Sequence, residues 1–586
     1  MRIFVTTAKG EEIAVQAVPG YSLAQAVYLS GFFDVPPLCS GHGAGISRCG
    51  RCRMRFEGLL AAFPASPRDM AVLGGQAVRE GWRLACRIDC RELARHLEQA
   101  DDPSGRDEKR AGVTLPNAVR IVDRNFEPAP LRGGGSGAEL PEVLRVSKDA
   151  DAGERTRKTT LAVDFGTTSI CWKFSADRED SADARMVNPQ MGAGSDIMSR
   201  LALAHPAREL FGSGRERLRV LSAGALSRIL DTVKAGARTD EIVVAGNPAM
   251  MYLLLGKDVS GLCAAPYKLD YRGGTREILP ACPNLPPCWI CPLISPFVGG
   301  DISAGYASLV FGGRAVARSR AQYPFLLADL GTNGEFILAL DERRALAASL
   351  PLGPALEGMG LCCGSEAREG VITGFQLAPE GLRAKFFKNK PVEQAQGLSA
   401  TAYLELLMHL LKLGLVDQDG HFKKPEAAGL PAETPLPLPL IRKLAGRLGG
   451  APASSEAAWH IADNFYISSG DIEEILKIKA AFSLAVKTLV KEAGLTCGSL
   501  RAFYLAGALG SFVTPQALAV LGFVPEELLS RLVPAGNTAL DGAALLAGKP
   551  ELREKLIQWA ALAHTLSLAG QEDFHNRFTE EMRFRF

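Results

Sequence analysis

The sequence has no excess of either charge and no long uncharged apolar segment. Its 66 Lys and Arg residues nearly balance its 64 Asp and Glu residues, so charge gives no indication of a nucleic-acid partner. No run of about 18 apolar residues occurs, so we expect no membrane span. Residues 1–20 alternate in polarity and carry charges, which is not typical of a secretory signal peptide. Together these absences predict a cytoplasmic protein.

Cysteine, in contrast, is abundant, with 13 residues in the chain. In a reducing compartment, clustered cysteines are more often metal-binding or catalytic than disulfide-bonded. Two cysteines stand alone and are expected to lie in the core, whereas the others form three groups. The groups are Cys39, Cys49, Cys52, Cys86 and Cys90; Cys263, Cys282, Cys288 and Cys291; and Cys362 and Cys363; the isolated residues are Cys171 and Cys497.

Composition divides the chain into three regions. Residues 1–94 read as two strands joined by a Lys-Gly turn, a helix that begins after Ser22, a cysteine loop, and an alternating strand in "RCRMRFEG". This order predicts a compact α+β ferredoxin-like (β-grasp) domain. Residues 95–158 are rich in Gly, Asp, Lys and Arg, which predicts a flexible linker. From residue 159 to 586, β-rich and helical patterns alternate, which predicts α/β architecture in two lobes, about 159–320 and 321–586.

An internal repeat supports the two lobes. The segments "TLAVDFGTTSICWKF" and "FLLADLGTNGEFILAL" each contain an apolar strand, an Asp, a Gly-Thr turn and a second strand. Asp164 and Asp329 occupy equivalent positions in these segments. The repeat therefore predicts two related hairpins, one in each lobe of an actin-like ATPase domain.

The first cysteine group has the spacing of an iron–sulfur site. Plant-type [2Fe–2S] domains use C-x4-C-x2-C and a distant fourth cysteine. Cys49 and Cys52 match the second gap, and Cys86 follows with 33 residues between it and Cys52. The gap from Cys39 to Cys49 has nine residues, so we interpret "SGHGAGISR" as a Gly-rich insertion. Cys39, Cys49, Cys52 and Cys86 are thus the predicted ligands, and residues 1–94 resemble plant- and adrenodoxin-type ferredoxins.

Other interpretations of this group stay open. Cys90 is an alternative fourth ligand, and a zinc knuckle or unrelated buried thiols would also account for clustered cysteines. Zinc sites usually pair one C-x2-C with a second such pair or with two His, and only His42 is near. The spacing therefore favours the [2Fe–2S] cluster.

The two Asp-Gly-Thr turns have the residue types of a phosphate site. Small residues let backbone N–H groups approach phosphate oxygens, and Thr hydroxyls add donors. Asp164 and Asp329 could hold Mg²⁺ across the phosphates, directly or through water. The predicted contacts are Asp164, Gly166, Thr167, Thr168, Asp329, Gly331, Thr332, Asn333 and Gly334. Near the end of the chain, "FYLAGALGSF" predicts a buried strand and a Gly corner for adenosine, made by Gly507, Ala508 and Gly510.

These three motifs resemble the nucleotide site of the actin, sugar kinase and acetate kinase superfamily. Further segments occur in the order seen in RACo-type reductive activators of corrinoid proteins, a family that also carries an N-terminal [2Fe–2S] domain. The segments are "NPQMGAGSDIMSRL", "VVAGNPAMMYLLLG", "SPFVGGDISAG", "SLPLGPALEGMGLCCG", "DIEEILKIKAA" and "GNTALDGA". The resemblance covers residues 1–94 and 160–586.

The resemblance implies ATP-dependent reduction of Co(II) to Co(I) on the corrinoid protein of a methyltransferase system. It implies ATP, Mg²⁺ and a [2Fe–2S] cluster as cofactors and a low-potential electron donor as a further partner. Closure of the lobes around ATP would favour a state that binds the corrinoid protein differently. Asp301, in "VGGDIS", is the candidate for orienting the attacking water, with a helix N-cap as the alternative.

The sequence departs from the family in three places. Residues 95–158 are short for the family's separate middle domain, which would then be absent. A Gly-rich "GICGSG"-like segment is represented by "AQGLSATAYLELL", which lacks its cysteine. The spacing Cys282-x5-Cys288-x2-Cys291 repeats an iron–sulfur-like pattern without an obvious fourth ligand, although Cys263, Cys362 or Cys363 could supply one.

Two alternative functions are weighed beside the activator. One is a small-molecule kinase with an attached redox domain, and the other is a non-catalytic protein whose binding depends on ATP or redox state. The sequence leaves open the corrinoid protein served, the electron donor and the oligomeric state, with a homodimer as one alternative.

Overall fold

The computed structural model describes most of the chain from residue 158 onward and parts of the chain before it. The described residues are 2–6, 12–16, 22–24, 53–57, 64–90, 92–93, 112–114, 158–176, 179–180, 183–194, 196–206, 214–231, 238–279, 282, 284–312, 321–357, 361–365, 367, 369–389, 395, 397–423, 436–451, 456–462, 465–568, 570 and 573–586. Within these ranges, no helix has the length and apolar character needed to cross a bilayer.

The first sheet has five strands in the order β2-β1-β5-β3-β4. Its strands are β1 (Arg2–Thr6), β2 (Glu12–Gln16), β3 (Arg53–Glu57), β4 (Trp82–Leu84) and β5 (Gly112–Thr114). β1 pairs with β2 as an antiparallel hairpin and with β5 in parallel. In β3, Met54 and Phe56 are buried while Arg53 and Arg55 are exposed, as alternation along a half-buried strand requires. The predicted hairpin and the predicted strand in "RCRMRFEG" are both confirmed.

One helix, α1 (Pro67–Arg79), precedes β4. It begins with a capping box, in which the Ser66 hydroxyl accepts the Asp69 N–H and Asp69 accepts the Ser66 N–H. Asp69 also accepts the backbone N–H of Leu84 at 2.8 Å, which ties the helix start to β4. Of the helix predicted after Ser22, only residues 22–24 belong to the described chain.

The prediction of a linker over residues 95–158 is wrong at two places, where the structure has strand residues. β5 lies inside that range, between β1 and β3 of the first sheet. Lys158 is already the first residue of the next sheet. Composition misassigned β5 because its "GVT" is too short to produce a hydrophobic pattern among the flanking charged residues. The other residues of the predicted linker lie outside the described chain.

The second sheet has the order β11-β12-β10-β6-β7-β8, and β9 also pairs with β7. Its strands are β6 (Lys158–Phe165), β7 (Ser169–Ala176), β8 (Glu179–Asp180), β9 (Ala184–Val187), β10 (Arg238–Ala245), β11 (Arg276–Glu277) and β12 (Cys288–Ile290). Its helices are α2 (Ile197–Ala204), α3 (Gly214–Asp231), α4 (Pro248–Leu255) and α5 (Ser260–Cys263). β6 forms an antiparallel hairpin with β7 and pairs in parallel with β10, which pairs in parallel with β12.

The third sheet repeats this plan in the order β23-β22-β13-β14-β15-β24. Its strands are β13 (Phe325–Leu330), β14 (Asn333–Ala339), β15 (Ala345–Pro351), β22 (Ala502–Ala506), β23 (Leu532–Gly536) and β24 (His564–Thr565). β13 forms an antiparallel hairpin with β14 and pairs in parallel with β22, which pairs in parallel with β23. Because β6–β7 and β13–β14 occupy the same place in the two sheets, the predicted pair of related hairpins is confirmed.

Further elements surround the third sheet. Two small sheets contain β16 (Val371–Ala378), β17 (Gly381–Phe386) and β18 (Gly397–Leu398), and β19 (Leu448–Gly450), β20 (Ala457–Ala462) and β21 (Phe465–Ser468). The helices are α6 (Gly300–Phe311), α7 (Ala400–Lys412), α8 (Leu438–Ala445), α9 (Ser469–Glu492), α10 (Gly507–Phe512), α11 (Pro515–Val520), α12 (Thr538–Gly548), α13 (Leu552–Leu562) and α14 (Phe574–Glu581). Phe482 of the long helix α9 packs against Phe336 of β14, with ring centroids 5.3 Å apart, in the centre of the core.

The described residues form two compact units, one ending at Cys291 and the other spanning Pro292–Phe586. This division lies about 30 residues before the predicted lobe boundary near residue 320. The difference is α6, which follows the second sheet along the chain but packs against α12 of the second unit. Asp301 consequently belongs to the same unit as Asp329.

Candidate nucleotide site

In the first unit, the predicted phosphate turn lies between β6 and β7. Asp164 is one residue from the end of β6, and Gly166, Thr167 and Thr168 make the turn. The side chains of Thr167 and Thr168 are 7% and 5% exposed. The turn is therefore buried, and the side chains that pack around it determine its backbone conformation.

Three buried side chains from outside the hairpin hold this turn. Asn188 donates from Nδ2 to the Gly166 carbonyl at 2.7 Å. Asn247, which caps the N-terminus of α4, donates from Nδ2 to Thr167 Oγ1 at 3.0 Å. Arg200 of α2 donates from Nη2 to the Thr167 carbonyl at 2.6 Å. Since each contact satisfies a polar group of the turn, a nucleotide would meet a preformed loop.

Arg200 is the central residue of this network. It is fully buried, and its guanidinium also donates to the Gly194 carbonyl at 2.9 Å and to Gln190 Oε1 at 3.3 Å. A guanidinium presents five N–H donors in a rigid plane, so it can fix several carbonyl groups at once. The segment "NPQMGAGSDIMSRL" thereby serves as a support for the turn.

In the second unit, the equivalent turn joins β13 to β14. Asp329 pairs with Glu335 across the two strands, and Gly331 and Thr332 lie at the turn. Gly334 pairs with Leu330, directly before the turn. The Thr332 carbonyl accepts the N–H groups of Leu352 at 3.1 Å and Gly353 at 2.9 Å. Asn333 opens β14 opposite Pro351 of β15, so this turn is held by the neighbouring strand.

Three carboxyl groups lie close together beside this second turn. Burial raises the pKa of Asp301 to about 7, with the negative charge of Asp329 as the next cause. Burial also raises the pKa of Glu335, and the charges of Asp301 and Asp329 add to it. Asp301 and Asp329 are partly exposed, whereas Glu335 is 3% exposed. Shifted carboxyl groups of this kind are typical of functional sites.

Asp301 lies in the first turn of α6, and Gly299 is the N-cap of that helix. The alternative prediction that Asp301 itself is the N-cap is therefore wrong by two positions. Its Oδ1 accepts the N–H of Ile302 at 2.9 Å. A carboxylate in the first turn of a helix is favoured by the helix dipole.

The predicted Gly corner follows β22, which pairs with β13 so that Ala506 lies beside Asp329. Gly507 begins α10, and Ala508 and Gly510 belong to the same short helix. Gly507 has φ +81°, and a Cβ there would lie 2.8 Å from both Asp329 Oδ1 and the Leu330 carbonyl oxygen. The structure thus brings Gly507 against the second turn, as a shared site requires.

We expect Gly507→Ala to weaken nucleotide binding about 10-fold, equivalent to about 1.4 kcal/mol, because the added Cβ would displace Asp329. The left-handed backbone would also cost about 1–2 kcal/mol of stability. Titration with a fluorescent ATP analogue and thermal unfolding measure the two effects. Gly494→Ala is the matched control, because Gly494 has φ +66° with no atom within 4 Å of the added Cβ. Equal nucleotide affinity in the two variants would contradict the contact.

Sequence reasoning missed Glu335 and the three residues that hold the first turn. Glu335 stood in the quoted "DLGTNGE" as a charged residue at the start of an otherwise apolar strand, which is a usable signal. Asn188, Arg200 and Asn247 were within quoted segments, yet spacing along the chain does not indicate that they converge on Gly166 and Thr167.

Three of the four predicted cluster ligands, Cys39, Cys49 and Cys52, lie outside the described residues. Cys86 is partly exposed in the 3-10 helix Ala85–Arg87, and Cys90 is 1% exposed. Cys86 is therefore the more exposed of the two candidates for the fourth position.

The second cysteine group is not arranged as a metal site within the described residues. Cys288 and Cys291 are fully buried at β12, and Cys282 is partly exposed. Burial raises the pKa of Cys288 to about 12, as expected for a thiol in an apolar core. Across the described residues, which include Cys263, Cys362 and Cys363, no three His, Cys, Asp or Glu side chains are arranged to hold a metal ion.

The remaining predictions concern isolated positions. Cys171 is buried as predicted, opposite Asp164 in the hairpin, whereas Cys497 is partly exposed. In the segment "AQGLSATAYLELL", Ser399 caps α7, and its hydroxyl accepts the Ala402 N–H at 3.3 Å. This segment acts as a helix start, so no nucleotide contact is assigned to it.

In the second unit, the β13–β14 hairpin, its carboxyl groups and the Gly corner define an actin-like domain of the ASKHA class. The model of the C-terminal domain of RACo, the ASKHA domain, matches residues 324–585. The model of the RACo middle region matches residues 159–311. The chain belongs to the RACo family.

The second match corrects one prediction. The family's middle region is present, and it lies at residues 159–311 instead of between 95 and 158. This region contains the first Asp-Gly-Thr hairpin. The hairpin was correctly predicted to lie in the first lobe, but that lobe was not recognised as the family's middle region.

Two curated proteins and one solved structure are similar to the chain. A protein named corrinoid activation enzyme RamQ, from Eubacterium limosum, is 25% identical over 66% of this chain and 63% of its own length. A [Co(II) methylated amine-specific corrinoid protein] reductase from Methanosarcina barkeri is 25% identical over 59% of this chain and 63% of its own length. The chain thus matches just under two thirds of the length of these relatives. A solved reductive activator for corrinoid, iron-sulfur protein has the same overall fold, with a TM-score of 0.61, 18% identity, and coverage of 99% of this chain and 98% of that one.

Proposed function

We propose that the protein is an ATP-dependent reductive activator that converts Co(II) of a corrinoid protein to Co(I). The observation that carries the proposal is the pair of equivalent hairpins, each with an Asp at its phosphate turn. Membership of the RACo family and the names of the two curated relatives support the corrinoid protein as the substrate. Hydrolysis of ATP by this protein would be coupled to the reduction of Co(II) to Co(I).

ATP and Mg²⁺ fit the residues present. In the first unit Asp164, Gly166, Thr167 and Thr168 would face the phosphates, and in the second unit Asp329, Gly331, Thr332, Asn333 and Gly334 would do so. Mg²⁺ is usually held by one or two carboxylates, phosphates and water, and Asp164 and Asp329 are each the candidate carboxylate of their own unit. Gly507, Ala508 and Gly510 would accommodate adenosine. Asp301 would orient the attacking water.

The first domain is, in this proposal, a ferredoxin-like β-grasp domain that binds a [2Fe–2S] cluster. The mixed sheet β2-β1-β5-β3-β4 and the accessible Cys86 support it. Cys39, Cys49, Cys52 and Cys86 would hold the iron. When bound, the cluster supplies the single electron that the cobalt gains, and a low-potential donor restores that electron.

We expect Cys49→Ser and Cys86→Ser each to reduce the iron content and the visible absorbance to less than about a tenth of the wild-type values, because a [2Fe–2S] cluster needs four ligands. Iron analysis and the dithionite-bleached spectrum measure this loss. Cys90→Ser is the control, since Cys90 is buried and lies four residues after the predicted ligand Cys86. Loss of iron in Cys90→Ser and not in Cys86→Ser would show that Cys90, and not Cys86, is the fourth ligand.

The function itself is tested with a purified Co(II) corrinoid protein. The reduced protein with MgATP should produce Co(I), followed by its absorbance, and the corrinoid protein should stimulate ATP hydrolysis. Sugars and acetate should not stimulate it. Hydrolysis stimulated by a phosphoryl acceptor and not by the corrinoid protein would favour a small-molecule kinase instead.

A further inference from the structure

Glu335 is a buried carboxyl group at a position where the chain otherwise has apolar residues. It belongs to β14, in which the four residues that follow, "FILA", are buried and apolar. Its side chain is 3% exposed. Burial of a carboxyl group is costly unless hydrogen bonds compensate it, so its contacts indicate what it does.

One contact is to the start of α6. Glu335 Oε2 accepts the backbone N–H of Gly299 at 2.9 Å. Gly299 is the N-cap of α6, and as a glycine it has no side chain to form a cap. In a capping box, the N–H of the N-cap residue is accepted by a side chain three residues later in the same helix. Here a carboxyl group from a different element, the β13–β14 hairpin, takes that place.

The other neighbour is Asp301 itself. The Asp301 and Glu335 carboxyl groups lie close enough for each to raise or lower the pKa of the other. Glu335 also lies across the hairpin from Asp329. One side chain therefore lies beside the residue assigned to the attacking water and is anchored in the strand pair that carries the predicted phosphate turn.

The geometry is not that of a third metal ligand. No three acidic, His or Cys side chains of the described chain converge as a metal site, although Asp301, Asp329 and Glu335 are neighbours. A group that accepts the N–H of a helix N-cap residue and lies beside the Asp301 carboxyl group is instead placed to set the orientation of that helix start.

We propose that Glu335 is a positioning residue, which holds the Gly299–Asp301 start of α6 against the β13–β14 hairpin and so fixes the Asp301 carboxyl group relative to the phosphate turn. This inference rests on the proposed ATP hydrolysis. It explains why a charged residue occupies a buried position of β14, directly after Gly334.

The test compares Glu335→Ala with Glu335→Gln in the full-length protein. Glutamine keeps an oxygen that can accept the Gly299 N–H and an amide that can donate to Asp301, whereas alanine keeps neither. Misplacement of a catalytic group by about 1 Å can cost about 100-fold in rate. We expect Glu335→Ala to lower kcat for ATP hydrolysis between about 10-fold and 100-fold while KM for ATP changes less than about 3-fold. Glu335→Gln should restore kcat to within about 5-fold of the wild-type value.

A matched control is available in the same unit. Glu405 of α7 is also buried, and its Oε2 accepts the backbone N–H of Phe375 at 2.8 Å. Phe375 belongs to β16 and not to the β13–β14 hairpin. Glu405→Ala should lower the thermal midpoint as Glu335→Ala does but leave kcat within about 2-fold of the wild-type value.

The outcomes separate the inference from the proposed function. If the wild-type protein neither binds nor hydrolyses ATP, the proposed function fails. If the wild-type protein hydrolyses ATP and Glu335→Ala does so equally fast, the positioning role is overturned. Equal losses of kcat in Glu335→Ala and Glu405→Ala, or no recovery in Glu335→Gln, would also overturn it, since both would indicate a general loss of stability.

Discussion

Asp301→Ala is expected to slow ATP hydrolysis by about 10²–10³-fold, the usual effect of removing a positioned acid–base group. The physical reason is its environment. Asp301 lies in the first turn of α6, beside Asp329, and burial raises its pKa to about 7. A carboxyl group with a pKa near the working pH can orient a water and accept its proton. Single-turnover hydrolysis measures the rate, and titration with a non-hydrolysable analogue should give a Kd within about 3-fold of the wild-type value.

The control for Asp301 is Asp341→Ala. Asp341 is an exposed turn residue that pairs with Arg344 at 2.6 Å, and surface pairs of this kind contribute little. We expect no change in hydrolysis from it. If Asp301→Ala hydrolysed ATP at the wild-type rate and only melted slightly earlier, Asp301 would be a first-turn residue that stabilises α6 through the helix dipole, and the catalytic assignment would be wrong.

Gly542→Ala is expected to destabilise the second unit by about 3 kcal/mol, at the upper end of the cost of overpacking. α6 and α12 approach so closely that a Cβ at Gly542 would lie 1.9 Å from the Ala304 carbonyl oxygen. Backbone atoms on both sides would have to move, because no flexible side chain lies between them. The thermal midpoint of the second unit should fall by about 6–12 °C, measured by differential scanning calorimetry.

Gly548→Ala is the matched control on the same helix. A Cβ at Gly548 meets no atom within 4 Å, and alanine is a better helix former than glycine by up to about 1 kcal/mol. This variant should be as stable as the wild type or slightly more stable. A lower thermal midpoint in both variants, or in neither, would contradict the close contact of α6 with α12. Because α6 also carries Asp301, Gly542→Ala should in addition lower the hydrolysis rate of the folded fraction.

Much of the fold was predictable because its signals are local. The alternation in β3 and the apolar strands that flank the two Asp-Gly-Thr turns are properties of a few consecutive residues. The equivalence of Asp164 and Asp329 followed from a repeated segment, and the two sheets confirm it. By contrast, β5 has three residues and no pattern of its own, so only its partners β1 and β3 define it as a strand.

The residues of the candidate site also differ in whether local sequence signals predict them. The residues at the turns, and Gly507, could be named from the sequence because phosphate sites require small residues and an acid in a short stretch. Arg200, Asn188 and Asn247 could not, because they reach the first turn from separate elements. Their role depends on the chain path between them, which spacing does not contain.

The sequence by itself indicated the class of the protein and the two hairpins, and it supplied the candidate residues for phosphate and iron. Only the tertiary structure decided that α6 belongs with the second unit, that Cys288 and Cys291 are core residues, and that Glu335 lies beside Asp301. The physical reason is that a strand, a turn or a cap is set by neighbours in sequence, whereas burial and the approach of two carboxyl groups are set by packing between distant segments. The raised pKa values of Asp301 and Glu335 exist only because of that packing.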